Sequence, residues 1–166
     1  MADLLYSDHL TCEPPSHDFI VGLHHLGYLT ADLPAAAVHF TRVLGYRVES
    51  PVIEDSVQTA CVQFLRLPGA TSWLELVAPN GPNSRLSNAL KRGNALHHIC
   101  YEVTDMERAC ACYRKLGCLP VGLPTPASAF PGRRIAWFMD NRKFLFELVE
   151  SGAPPLTLKT ILAPSL

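Results

Sequence analysis

The sequence predicts an α+β fold built from two tandem βαβββ modules, and three observations carry that prediction. The chain first of all contains an internal repeat. Residues 24–46 read HHLGYLTADLPAAAVHFTRVLGY and residues 97–118 read HHICYEVTDMERACACYRKLGC. His25 answers His98, Tyr28 answers Tyr101, Asp32 answers Asp105 and Ala36 answers Ala109, each 73 residues apart. One residue then drops out, and the match continues at an offset of 72 to the far end of each copy. There LELVAP at 74–79 matches FELVES at 146–151 and pairs Glu75 with Glu147. Finally, the apolar period changes in the same order in both copies, from about 2 to about 3.6 and back, as strand, helix and strands require.

The elements follow in order. A first strand is expected over 21–30 and its counterpart over 96–103. Asp32 and Asp105 come next as helix N-caps. The helices carry Leu33, Ala36, Ala37, Phe40, Val43 and Leu44 in one copy, and Met106, Ala109, Cys110, Tyr113 and Leu116 in the other, all at helical spacing. Gly45 and Gly117 stop them. Strands at 46–53, 57–67 and 72–78 complete the first module, and strands at 118–122, 132–139 and 143–150 the second. The expected organisation is a leader (1–20), one domain (21–151) and a tail (152–166). The domain comprises module one (21–80), a linker helix (84–92) and module two (95–151).

Composition narrows the function classes. Apolar residues make up 48% of the chain and charged ones 17%, so it can bury a core and disorder is excluded. Fourteen Lys+Arg against 15 Asp+Glu leave a net charge of −1 and no basic face for nucleic acid. No run approaches the roughly 20 apolar residues that a membrane helix needs. The first 18 residues carry acids and prolines in place of the basic start and apolar run of a signal peptide. The six cysteines include no Cys-x-x-Cys pair, and read as thiols of a reducing cytoplasm.

Strand parity indicates where chemistry could sit. Leu26 and Tyr28 suit a face packed on the amphipathic helix, which places His25 on the opposite face and His24 with the helix. The same parity separates His98 from His97, Ile99 and Tyr101. Glu75 and Glu147 lie inside apolar runs, where a bare charge is costly and a partner is expected. Two modules related by pseudo-symmetry would bring His25, His98, Glu75 and Glu147 into one cleft. Two imidazoles and two carboxylates suit one divalent ion such as Ni²⁺, Co²⁺, Zn²⁺, Mn²⁺ or Fe²⁺.

At HHLGYLTADLPAA, LELVAP, LHHICYEVTD and FELVE the chain resembles the vicinal oxygen chelate superfamily. The resemblance covers about residues 21–151 and implies paired βαβββ modules forming a cup-shaped mixed sheet around a metal. It assigns the ligands to His25, Glu75, His98 and Glu147. It also implies a metal-dependent lyase or isomerase that removes a proton next to a carbonyl, through an enediolate or enolate. Glyoxalase I-like chemistry (lactoylglutathione lyase) is the first expectation and methylmalonyl-CoA epimerisation the alternative. Glu147 or Glu75 would act as the base, with Glu147 favoured.

The substrate would be a glutathione hemithioacetal or an acyl-CoA. Gln63 is a candidate substrate contact, and Arg133 and Arg134, after the proline-rich LPTPASAFPG, are candidate cations for the anionic group. The epimerase pattern is not complete, because Ser56-Val57-Gln58-Thr59 stands where epimerases carry Pro-Glu-Gln-Gly. Extradiol dioxygenases and metal-free drug-sequestering proteins of the same superfamily are further alternatives. Whether one chain supplies the whole site, or a homodimer shares it, stays open at this level.

Overall fold

A computed structural model describes residues 16–93 and 95–158. In the first copy β1 (Ile20–Leu29) leads into α1 (Leu33–Leu44), β2 (Arg47–Val48), β3 (Ile53–Asp55), β4 (Ala60–Arg66) and β5 (Trp73–Pro79). After a single turn of helix, α2 (Ser87–Leu90), the order recurs as β6 (Ala95–Val103), α3 (Met106–Lys115), β7 (Leu119–Pro120), β8 (Thr125–Pro126), β9 (Arg134–Met139) and β10 (Leu145–Glu150). The fold is α+β with a mixed ten-stranded sheet in the order β2-β4-β5-β1-β6-β10-β9-β7, with β3 on β4 and β8 on β9.

The caps form as the sequence predicts. Asp32 Oδ1 accepts the Ala35 N–H at 2.9 Å, and Asp105 Oδ1 accepts that of Arg108 at 2.9 Å. Gly45 ends α1 in the left-handed region at φ 76°, where a side chain would be strained. Elsewhere the elements are shorter than expected, for local reasons. The strand expected over 46–53 breaks at Ser50-Pro51, because the Ser50 hydroxyl takes the Phe64 N–H at 2.8 Å and proline brings no donor. The expected 84–92 helix is helical only at Ser87–Leu90: the Ser84 hydroxyl donates to Thr59 O and accepts the Leu86 N–H at 3.2 Å, and no side chain caps α2 itself. The last strand starts at Leu145 because Asp140 Oδ1 folds 140–144 into a turn by accepting from the Arg142 and Phe144 N–H groups.

β1 and β6 run antiparallel at the centre of the sheet, and each has its own parallel partner, β5 or β10. Alternate residues divide the two faces. Leu74, Leu76 and Ala78 pack with Leu33 and Ala37 of α1, while Phe146 and Leu148 pack with Met106, Ala109 and Cys110 of α3. The residues between them point to the other face. There Trp73, Val77 and Val149 form a third cluster with Phe130 and Ile135. The start of the expected tail is pinned, because Leu156 N–H donates to Ala129 O and Leu158 N–H to Glu49 O. Of the expected leader, residues 1–15 lie outside the described residues.

Candidate metal centre and cavity

The four expected ligands meet on the helix-free face. His25 Nε2 lies 3.0 Å from His98 Nε2, 3.1 Å from Glu147 Oε2 and 3.5 Å from Glu75 Oε2. His98 Nε2 lies 3.5 Å from Glu75 Oε2 and 3.6 Å from Glu147 Oε2. All four side chains are buried and all belong to one chain, so the cluster needs no second copy to assemble. The register explains the convergence. Glu75 sits beside Gly27 on the neighbouring strand, and Glu147 beside Cys100. His98 lies across from Gly27, and His25 across from Cys100. Gly27 and Cys100 are equivalent positions of the repeat, and Gly27 is kept small by the His98 ring beside it. A Cβ at Gly27 would fall within the His98 ring.

The electrostatics are those of a site with surplus negative charge. Burial disfavours the charged form of His25, yet Cys100, Glu75 and Glu147 around it raise its pKa well above the usual imidazole range. Burial, then the charges of His25 and His97, holds His98 well below that range. Burial also raises Glu147 above an ordinary carboxylate, with His25 opposing and Glu75 adding to the rise. Glu147 Oε2 is buried and has no hydrogen bond among the described residues.

These features fit a divalent cation. Ligand atoms about 2.1 Å from one ion lie roughly 3.0–3.4 Å from one another, close to the spacings seen here. Two imidazole nitrogens and two carboxylate oxygens suit the borderline ions named above. His24, His25 and Cys100 also lie close together. Burial pushes the Cys100 thiol up, however, which keeps the thiolate that a metal would need out of reach.

One expectation fails on geometry. His24 and His97 do not turn to the helices. Three register shifts interrupt the β1–β6 ladder, and two of them flank the site, one between Leu23 and His25 and the other opposite Gly27 and Tyr28. These two insert one extra residue apiece, His24 in β1 and His97 in β6, and a bulge cancels strict alternation. His24 Nδ1 therefore lies 2.8 Å from His25 Nδ1, and His97 Nδ1 lies 2.9 Å from His98 Nδ1. The His-His doublet at the same place in both copies was the available signal.

A cavity of about 290 Å³ opens beside the tetrad, with Glu75, His98 and Glu147 in its wall and Val62, Val77, Ile135 and Trp137 among its apolar lining. The proline-rich segment folds over it. Asp55 anchors that segment by accepting the Ser128 N–H at 2.9 Å. Phe130 stacks on His25, with centroids 6.0 Å apart and planes 19° apart. Trp137 stands edge-on to His98 at 4.7 Å, and its indole N–H has no partner among the described residues.

The expected substrate contacts lie elsewhere. Gln63 shares a face with Cys61 and Leu65, away from the cavity, and donates to Ser50 O at 3.2 Å. Arg133 is buried and holds Glu150 O and Ala153 O, and its guanidinium is 3.5 Å from Glu102. Arg134 pairs with Glu150 and with Glu107 of α3. The polar side chains that do line the cavity include Gln58, Asp55 and the exposed Arg85, whose guanidinium has no ion pair among the described residues. Arg85 lies in the expected linker segment, where nothing in the sequence sets it apart, so only its place in three dimensions marks it.

Comparison with known proteins agrees with the fold. A family profile described as the glyoxalase/bleomycin resistance protein/dioxygenase superfamily matches residues 24–137. An ethylmalonyl-CoA/methylmalonyl-CoA epimerase from Cereibacter sphaeroides is 32% identical over 130 residues, spanning 77% of this chain and 94% of that protein. The crystal structure of methylmalonyl-CoA epimerase from Mycobacterium tuberculosis superimposes with a TM-score of 0.72 at 27% identity, over 87% of this chain and 94% of that one. A variant of the Streptomyces coelicolor methylmalonyl-CoA epimerase, solved with 2-nitronate-propionyl-CoA, gives a TM-score of 0.71 at 26% identity, over 81% and 99%.

Proposed function

Because the chain belongs to the glyoxalase/bleomycin resistance protein/dioxygenase superfamily, we propose that it is a metal-dependent isomerase that epimerises the α-carbon of a methylmalonyl-CoA-type thioester. The observation that carries this reading is the pair of carboxylates, one from each copy of the repeat. Glu75 and Glu147 both lie within 3.6 Å of the Nε2 atoms of His25 and His98. The names of the relatives support the acyl-CoA substrate class, and the glyoxalase I-like expectation gives way to the epimerase alternative.

Inversion at a carbon next to a thioester needs a proton taken from one face and another delivered to the opposite face. Glu75 on β5 and Glu147 on β10 reach the centre from separate strands, as a base and an acid working on two faces would. Burial raises the pKa of Glu147, so its protonated form is more available than that of an ordinary glutamate, which suits the donor. In the reverse direction the two exchange roles. His25 and His98, with the two carboxylates, would hold the ion, which when bound would supply Lewis-acid stabilisation of the developing enolate oxygen. Phe130, Val62 and Val77 exclude water from the reacting carbon, and Trp137 offers its unpaired N–H to a substrate oxygen.

The test uses Glu75→Gln and Glu147→Gln at saturating Co²⁺. Each is expected to lose about 10²–10⁴-fold in epimerisation. Each should still exchange the α-proton of one epimer, since one carboxylate remains. Wild-type epimerisation in both variants would remove the glutamates from the mechanism.

A further inference from the structure

We propose that His24 and His97 are positioning residues that fix the tautomers of His25 and His98, a role that rests on the tetrad being a metal centre. A neutral imidazole carries one ring proton, and which nitrogen bears it is set by the bond the other nitrogen makes. The Nε2 atoms of His25 and His98 face each other and the two carboxylates. To act as ligands they must be bare, which puts each proton on Nδ1. A proton on Nδ1 needs an acceptor at that edge of the ring, and among the described residues none comes from the backbone. It comes from the preceding histidine, Nδ1 to Nδ1, at 2.8 Å in one copy and 2.9 Å in the other. Accepting there leaves His24 and His97 with their own protons on Nε2.

The arrangement recurs closely in both copies. The His24 and His25 rings have centroids 5.1 Å apart and cross at 78°, and the His97 and His98 rings are 5.2 Å apart and cross at 87°. Both acceptors are braced by an aromatic wall. His24 meets Phe130 edge-on at 5.2 Å, and His97 meets Trp137 at 6.3 Å. Each pair also depends on a bulge, without which alternation would turn His24 and His97 to the opposite face. Two bulges placed at the same residue of the repeat, each delivering an acceptor to a ligand ring, are hard to account for by packing alone. Loss of such a partner typically weakens metal binding about 10–100-fold.

The experiment uses full-length protein labelled with ¹⁵N-histidine and titrated with Zn²⁺. An N–N scalar coupling across the hydrogen bond is expected for His24–His25 and for His97–His98. His24→Phe and His97→Phe keep a ring but remove the acceptor, and should each bind Zn²⁺ about 10–100-fold more weakly. His24→Asn and His97→Asn place an oxygen near the former Nδ1 and should recover most of that loss, which a purely structural role would not predict. Missing couplings, or phenylalanine variants that bind Zn²⁺ like wild type, would overturn the proposal. If a phenylalanine variant fails to fold, the wild-type couplings and the asparagine variants still decide it. Failure of the metal reading looks different: wild-type protein takes up no Zn²⁺ although the couplings are present, and the positioning role then falls with the ion it serves.

Discussion

A methyl group added at position 27 would collide with the His98 imidazole, so Gly27→Ala is expected to displace a ligand. Overpacking of this kind costs about 1–3 kcal/mol. A thermal melt should show that loss, and Zn²⁺ affinity should fall with it. Trp137 leads to the opposite expectation for stability. Its buried N–H has no partner among the described residues, and such a group costs about 1–3 kcal/mol to desolvate. Trp137→Phe should therefore keep or raise the melting temperature while raising KM for the thioester. Arg85→Gln, at the cavity edge, should raise KM for a CoA thioester several-fold and leave kcat nearly unchanged in steady-state kinetics. The clustering of the four candidate ligands was legible in the sequence because the repeat doubled each signal. Gly27, Trp137 and Arg85 were not, since their roles depend on what lies across the sheet. His24 and His97 were visible as residues but assigned to the wrong face, because parity assumes an uninterrupted ladder.

At the scale of elements, the two helices are set by their caps. Asp32→Ala and Asp105→Ala should each cost about 1 kcal/mol in urea denaturation. The caps share no partner, so the double variant should be additive within about 0.5 kcal/mol. α3 is further tied to β10 through Arg134, which bridges Glu107 and Glu150. Hydrogen bonding to Arg134 holds both carboxyls below the ordinary glutamate value of 4.5. A lowered folded-state pKa contributes stability above the unfolded value and loses it as pH falls through the folded one. Arg134→Gln should therefore lose less stability than wild type between neutral pH and pH values below 4.5, as followed by urea melts. The two long helices could be read from periodicity, and their caps from Asp32 and Asp105. Several element ends could not, two of strands and one of the linker helix, because Ser50, Asp140 and Ser84 spend their side chains on backbone groups.

Across the whole molecule, the central β1–β6 pairing places both halves of the repeat in one sheet, so a single chain carries all four candidate ligands. One ion per chain and a specific activity independent of protein concentration are expected, and metal analysis with a dilution series checks both. The sequence left the site's ownership open because the same repeat could pair within a chain or between chains. The choice is made by the β1–β6 register, which no local pattern encodes. The central claim, proton removal next to a thioester by a carboxylate of this cluster, is tested most directly by ¹H NMR of one methylmalonyl-CoA epimer in D₂O with metal-loaded wild-type protein. The account predicts loss of the α-proton signal as deuterium enters, together with formation of the other epimer. An α-proton that persists, while the glutathione hemithioacetal of methylglyoxal is converted to its thioester, would contradict it.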